Sequence, residues 1–185
     1  MNAEIRIIGG QWKRTKLKVA DRPGLRPTPD RVRETLFNWL GQDLTGWRCV
    51  DVFAGTGALG FEAASRGARE VRMIEHDSAL VDLLKKVQIQ LQASSVQIVR
   101  GDGVAALKHL NAGSMDLVLL DPPFDSGVYE AAVQAAARAV SESGFVYLEA
   151  ATLWTDAQLL AAGMVVHRHL KAGAVHAHLL TRKAA

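Results

Sequence analysis

From Arg48 onward, short apolar runs alternate with amphipathic helical patterns, and this alternation constrains the chain more than any other feature. Runs over 48–53, 71–75, 96–99, 116–120 and 144–149 read as strands, and the segments 58–66, 78–91, 103–110 and 127–141 between them read as helices. Strands and helices that alternate with this period form a parallel sheet covered by helices on both faces, an α/β fold. The tail breaks the pattern. Met164 to Leu170 and Ala174 to Leu180 are strand-like runs joined by Lys171-Ala172-Gly173, which predicts an antiparallel hairpin at one sheet edge. At 185 residues the chain supports one principal core and a small extension.

The extension lies in front. Ile5 to Ile8 and Leu17 to Val19 flank Gly9-Gly10 and the basic run Lys13 to Lys16, the pattern of a β-hairpin with a positive tip or edge. Pro23-Gly24 and Pro27 interrupt regular structure. Thr28 is then placed to cap a helix with Pro29 at its first position, Asp30 at its positive end, and Val32, Leu36, Trp39 and Leu40 at helical spacing. We therefore divide the chain into an extension over 1–44 and a body over 45–185. Residues 1–33 hold nine Lys/Arg against three acids, whereas the rest holds 13 Lys/Arg against 16 Asp/Glu. A basic front on a mildly acidic body points to a polyanionic partner, with a merely solvated charged surface as the alternative.

Cysteine usage and apolar runs exclude other classes. Cys49 is the single cysteine, so no internal disulfide is available and a reducing cytoplasmic setting fits. The opening MNAEIRIIGG lacks a basic segment followed by an apolar run, and the stretch from Gly144 to Val166 is interrupted by Glu149 and Asp156. Neither a secreted nor a membrane-spanning chain is expected.

The segment Asp51-Val52-Phe53-Ala54-Gly55-Thr56-Gly57-Ala58-Leu59-Gly60 falls between the first strand and first helix of the body. Gly55, Gly57 and Gly60 have the spacing of a nucleotide-binding turn, and Glu75 follows Gly55 by 20 residues at the end of the next strand. Glycines let the backbone turn tightly and approach a ligand, and a carboxylate at that strand end can accept from both ribose hydroxyls. By itself the turn leaves open a nicotinamide dinucleotide or S-adenosylmethionine. Asp51 suits the α-amino group of a methionine moiety and would sit poorly beside a pyrophosphate. Asp102, after Gly101 at the third strand end, can accept from an adenine amino group.

Asp121-Pro122-Pro123-Phe124 directly follows an apolar strand, at the carboxyl edge where open α/β sheets bind ligands. The prolines hold the turn extended and leave the Pro122 carbonyl outside any ladder. An exocyclic amine conjugated to a base ring is a poor nucleophile because its lone pair is delocalised. Catalysis on it needs acceptors that fix its N–H bonds, which Asp121 and the Pro122 carbonyl can supply, while Phe124 can stack on the base.

Asp121 to Phe124 resembles the (D/N)PP(F/Y) signature of S-adenosylmethionine-dependent amino methyltransferases, and Asp51 to Gly60 resembles their cofactor loop. More narrowly, Arg6 to Gly10, Gly24 to Thr28, Asp30 to Asn38 and Asp51 to Gly57 together resemble the bacterial 16S rRNA guanine-N2 methyltransferase family, RsmD. The resemblance runs from about residue 5 to 150. It implies a Rossmann-like class I methyltransferase sheet, S-adenosylmethionine as donor, and a guanine of 16S rRNA in the small ribosomal subunit or its assembly intermediate as acceptor. The implied catalytic turn is Asp121, Pro122, Pro123 and Phe124. Cofactor contacts would come from Asp51, Phe53, Ala54, Gly55, Thr56, Gly57, Gly60, Glu75, His76, Asp102, Gly103 and Thr28. RNA contacts would come from Arg6, Lys13, Arg14, Lys16, Arg26, Arg31 and Arg33. One departure is the loop Asp125-Ser126-Gly127, where the family leads one to expect basic residues.

A monomer without a metal is expected. His167 and His169 would share a face with His176 and His178 across the tail hairpin, but no carboxylate or cysteine accompanies them. Three other readings are kept: an amino methyltransferase acting on DNA adenine or cytosine or on a protein glutamine, a nicotinamide-dependent oxidoreductase, and a non-catalytic RNA-binding assembly factor.

Overall fold

The structure is a computed structural model describing residues 4–18 and 28–183. Strands β1 (Glu4–Arg6) and β2 (Lys16–Lys18) form the antiparallel front hairpin, with Glu4 opposite Lys18 and Arg6 opposite Lys16. Ile5 and Leu17 face each other on its buried side. Helix α1 (Asp30–Trp39) follows, burying Val32, Leu36 and Phe37 at the expected helical spacing. Its N-cap is Pro29, with no capping side chain, so Thr28 is not the cap. The Thr28 hydroxyl is directed to Asp121 at the end of β6, and Asp30 instead completes the first turn by pairing with Arg33.

The body is a run of β–α units: β3 (Arg48–Asp51), α2 (Ala58–Ser65), β4 (Glu70–Glu75), α3 (Ser78–Gln90), β5 (Val96–Arg100), α4 (Gly103–Lys108), β6 (Met115–Leu120), α5 (Tyr129–Ala139) and β7 (Val140–Ala150). The tail adds α6 (Asp156–Leu159) and the antiparallel strands β8 (Met164–Ala172) and β9 (Val175–Arg182). The sheet order is β5-β4-β3-β6-β7-β9-β8. Five parallel strands form the expected doubly wound sheet, and β9 inserts between β7 and the edge strand β8. The strand β7 begins earlier than expected and carries a register shift opposite Met115/Leu117. The α6 turn, absent from the sequence reading, is a short capping box built by Thr155 and Gln158.

Two apolar layers cover the sheet. One joins the front hairpin, α1 and α2 to the Cys49, Met73, Leu119 and Tyr147 face. The other packs α4 and α5 on Val50, Ile74, Val118 and Leu148. Ile5, Ile7 and Leu17 therefore share a core with Phe61 and Met73, and the half-buried Trp12 packs there as well. Among the described residues, no helix is long and apolar enough to cross a membrane.

Candidate active site

Parallel pairing fixes the site. Asp51, Met73, Leu119 and Tyr147 lie in one register row across β3, β4, β6 and β7. Two residues further along their strands, Glu75, Asp121 and Glu149 therefore line the carboxyl edge on that same face. Four acids thus converge on one corner of the molecule, beneath the first turn of α1.

The glycine turn holds two of them. Gly57 has a left-handed backbone (φ +81°), and a Cβ there would run into Leu84 and Phe61. Asp51 is buried. Its Oδ2 accepts from Gly60 N at 2.9 Å, while its Oδ1 is buried with no partner. Burial raises Asp51 to about 7, against the pull of the Gly60 N–H and with a push from Glu75. Glu75 is also buried, its Oε2 accepting from Gly55 N and its Oε1 from Asp77 N, each at 2.8 Å. Phe53, Gly55 and Thr56 are half-buried around this turn, and Ala54 is buried, its N–H donating to Ile74 O. His76 is exposed, with Nδ1 3.2 Å from Glu75 Oε1. Asp102 caps α4 by accepting from Ala105 N at 2.7 Å. Gly103 is buried, and a Cβ on it would lie 2.2 Å from Val52 O, so its small size serves close packing beneath the turn.

At the neighbouring strand end, the Thr28 hydroxyl donates to Asp121 Oδ2 at 3.4 Å, and the same hydroxyl pulls on Glu149. Glu149 is buried, and its Oε1 accepts from the Tyr147 hydroxyl at 2.8 Å. Burial, then the Glu149 and Asp51 carboxylates, hold Asp121 well above the ordinary carboxylate range, with Thr28 pulling the other way. Burial raises Glu149 too, opposed by Thr28, Tyr147 and Arg33. Pro122 is buried and Pro123 exposed, while Phe124 is 39% exposed at the mouth. The Tyr129 hydroxyl is buried without a partner, its ring 5.9 Å from that of Trp154, and burial followed by Asp121 and Glu149 pushes it up to about 12.

Of the cations expected to meet RNA, Arg6, Lys13, Arg14, Lys16 and Arg31 are exposed, and Lys16 pairs with Glu4. Arg26 lies outside the described residues, as does the Gly24–Pro27 segment. Arg33 must be withdrawn from the set. Its side chain is fully buried and bonds Thr28 O, Arg6 O, Asp30 and Glu62, so it presents no exposed donor to a phosphate. Thr28 belongs with the Asp121 corner rather than the glycine turn. Lys18 lines a small crevice with Gly55, Thr56 and Leu84, which brings the hairpin beside that turn.

Glu149, Tyr147 and Tyr129 were missed in the sequence. The available signal was an acid closing an apolar strand, Phe145-Val146-Tyr147-Leu148-Glu149, the same pattern that marks Glu75. The histidines converge only in part: nitrogens of His169, His176 and His178 lie within 4.8 Å of one another. His178 has both ring nitrogens engaged, by Leu148 O at 3.2 Å and Trp154 N at 3.0 Å, and His169 Nε2 lies 3.0 Å from His176 Nδ1, so the three rings are engaged with backbone and with each other.

A sheet of this order, with a glycine turn after its first strand and an Asp-Pro-Pro-Phe turn after its fourth, defines a Rossmann-like methyltransferase. Within that class the chain belongs to the ribosomal RNA small subunit methyltransferase D family, RsmD. The family model described as Conserved hypothetical protein 95 matches residues 5–181. Ribosomal RNA small subunit methyltransferase D of Escherichia coli (strain K12) is 38% identical over 189 residues, covering 99% of this chain and 92% of the relative. The Haemophilus influenzae protein of the same name is 45% identical over 133 residues, 70% of this chain and 69% of that one. A solved Escherichia coli structure described as a methyltransferase, yhhF, superposes with a TM-score of 0.85 at 36% identity, covering 99% of this chain and 100% of that one.

Proposed function

We propose that this methyltransferase carries a methyl group from S-adenosylmethionine to the exocyclic N2 amine of a guanine in 16S rRNA, within the small ribosomal subunit or its assembly intermediate. The observation that carries the reading is the Asp121 carboxylate at the end of β6, beside the exposed face of Phe124. The name shared by the Escherichia coli and Haemophilus influenzae relatives supports the acceptor.

The residues fit the donor. Asp51 Oδ1 is a buried oxygen with no partner, and an acid in that state suits a cationic ammonium group. Glu75 at the next strand end would take the ribose hydroxyls, and Phe53, Gly55 and Thr56 the adjoining backbone and ring surfaces. Asp102 keeps one carboxylate oxygen beyond its capping bond for an adenine amine. When bound, S-adenosylmethionine supplies a methyl group on a sulfonium, which needs no metal to activate it.

The chain's own part is orientation. Asp121 and the Pro122 carbonyl accept the two amine N–H bonds, so that the nitrogen lone pair lies out of the ring plane and toward the donor side. Phe124 holds the base by stacking, worth about 1–3 kcal/mol. Such alignment alone accounts for a large share of rate in bimolecular transfer. The extension over 1–44 grips RNA phosphates through Arg6, Lys13, Arg14, Lys16 and Arg31, holding the strand while the base is presented. The protein acts as a cytoplasmic monomer.

Radiolabelled methyl transfer is measured on small subunits from a strain lacking the gene, beside free rRNA and duplex DNA. Label recovered as N2-methylguanosine is the expected result. Label in DNA adenine or cytosine, or in protein glutamine, replaces the acceptor, and no transfer to any of these overturns the reading.

A further inference from the structure

The mechanism leaves Glu149 unused. It is one of the most buried acids among the described residues, the parallel register of β6 and β7 sets it level with Asp121, and the Thr28 hydroxyl that bonds Asp121 acts on it as well. A threonine hydroxyl has one hydrogen to give and lone pairs to receive. Two carboxylates flanking it can both be hydrogen-bonded only if one carries a proton and donates it to the oxygen, while the hydroxyl hydrogen goes to the other. Two ionised carboxylates on one hydroxyl would leave one acceptor unsatisfied and two like charges in contact.

We propose that Glu149 is a positioning residue for Asp121: the pair holds one proton, and the Thr28 hydroxyl passes it to Glu149 when Asp121 engages the substrate amine. The step balances internally. The Asp121 O–H bond breaks as its hydrogen joins Thr28 Oγ1, and the hydrogen already on Thr28 leaves for Glu149, with no change in net charge. Asp121 is then ionised and accepts the amine N–H. The Tyr147 hydroxyl, 2.8 Å from Glu149 Oε1, holds the receiving carboxyl in place.

Other groups facing the pair favour sharing over full ionisation. Asp51 on β3 is a third acid on the same face, and the Tyr129 phenol on α5 is neutral in the working range. Among the described residues, Arg33 on α1 is the cation that acts on Glu149, and it is already bound to Glu62 and Asp30. Burial raises both carboxyls, and the Glu149 and Asp51 carboxylates raise Asp121 further, in agreement with one retained proton.

This inference rests on the reading of Asp121 as amine acceptor, so its first test needs no acceptor. Carboxyl carbons of the free protein are followed by 13C NMR against pH. In wild type the Asp121 and Glu149 signals are expected to move through the same two steps, as a coupled pair does. In Glu149→Gln a single Asp121 step remains and lies at lower pH, because the like charge is gone. In Thr28→Val it lies higher, because the donor is gone. Independent single-step titrations in wild type, or an Asp121 curve unmoved by Glu149→Gln, overturn the proposal whatever the acceptor proves to be. With an active acceptor, Glu149→Ala is expected to lower kcat at least tenfold with KM for the donor little changed. Glu149→Gln, a neutral mimic of the proton-holding form, recovers most of that loss and removes the pair's limb from the pH–rate profile, and Thr28→Ser restores what Thr28→Val loses. Equal loss in Gln and Ala also overturns it.

Discussion

The guanidinium of Arg33 and the carboxylate of Glu62 are both wholly buried and lie 3.4 Å apart, joining α1 to α2 beneath the front hairpin. Glu62 also accepts from Ile8 N at 2.9 Å, Gly9 N at 2.8 Å and Arg66 Nε at 2.9 Å. One side chain thus fastens the hairpin, both helices and the turn after α2. Removing it takes a carboxylate from two buried guanidiniums, Arg33 and Arg66, and leaves two backbone N–H groups without their acceptor. Glu62→Ala is expected to cost about 3–5 kcal/mol, which for a chain of this size lowers Tm by on the order of 10 °C. Calorimetry checks this, and a loss under about 1 kcal/mol would mean that water replaces the carboxylate freely.

Asp121→Ala separates binding from chemistry. The carboxylate contacts the acceptor amine and stands apart from the glycine turn, so donor affinity is expected to stay within about a few-fold of wild type while methyl transfer falls by orders of magnitude. Equilibrium binding of S-adenosylhomocysteine beside single-turnover transfer gives both numbers. Full activity in the variant excludes Asp121 from the reaction.

Asp51 ties stability to pH. Its folded value of about 7 exceeds the 3.8 of an unperturbed aspartate, so the folded state binds the proton more tightly than the unfolded chain does. The corresponding stability is fully present below about pH 4 and is lost as pH rises through about 7. The amplitude is on the order of a few kcal/mol, at 1.36 kcal/mol for each unit. Asp51→Asn removes this dependence, so the Tm difference between variant and wild type should move in the variant's favour from pH 4 to pH 8. Parallel Tm curves would show that Asp51 is ionised throughout. The same substitution weakens donor binding, since an amide cannot balance an ammonium.

The sheet, the glycine turn and the Asp-Pro-Pro-Phe turn are legible in the sequence because each is local: a strand, a glycine spacing, a proline pair. The places of Thr28 and Arg33 are not, because their partners are distant in the chain. Thr28 bonds Asp121 across 93 positions, and Arg33 bonds Glu62 across 29. A capping threonine before a proline, and an arginine in a basic run, are the readings that local pattern favours. Only the packing of α1 over the sheet edge turns both inward. Glu149 does carry a local mark, an acid closing an apolar strand, but nothing near it in sequence states that β7 lies beside β6.

The front hairpin yields a test by salt. Lys13, Arg14, Lys16 and Lys18 are all exposed, and Lys16 shares its charge with Glu4 at 2.8 Å. An exposed pair of this kind contributes little to stability, so Lys16 can exchange Glu4 for a phosphate at small cost. If about five cations of the extension meet phosphates, log K against log salt has a slope near −3.5 for single-stranded RNA. Replacing the four by alanine takes away three of those cations, Lys13, Arg14 and Lys16, and should flatten the slope to about −1.4 and weaken binding most at low salt. Ile5 and Leu17 keep the hairpin seated in the variant, because they bury the opposite face. Fluorescence anisotropy over a salt series measures the slope, and an unchanged affinity at every salt concentration would remove the hairpin from the RNA-binding surface.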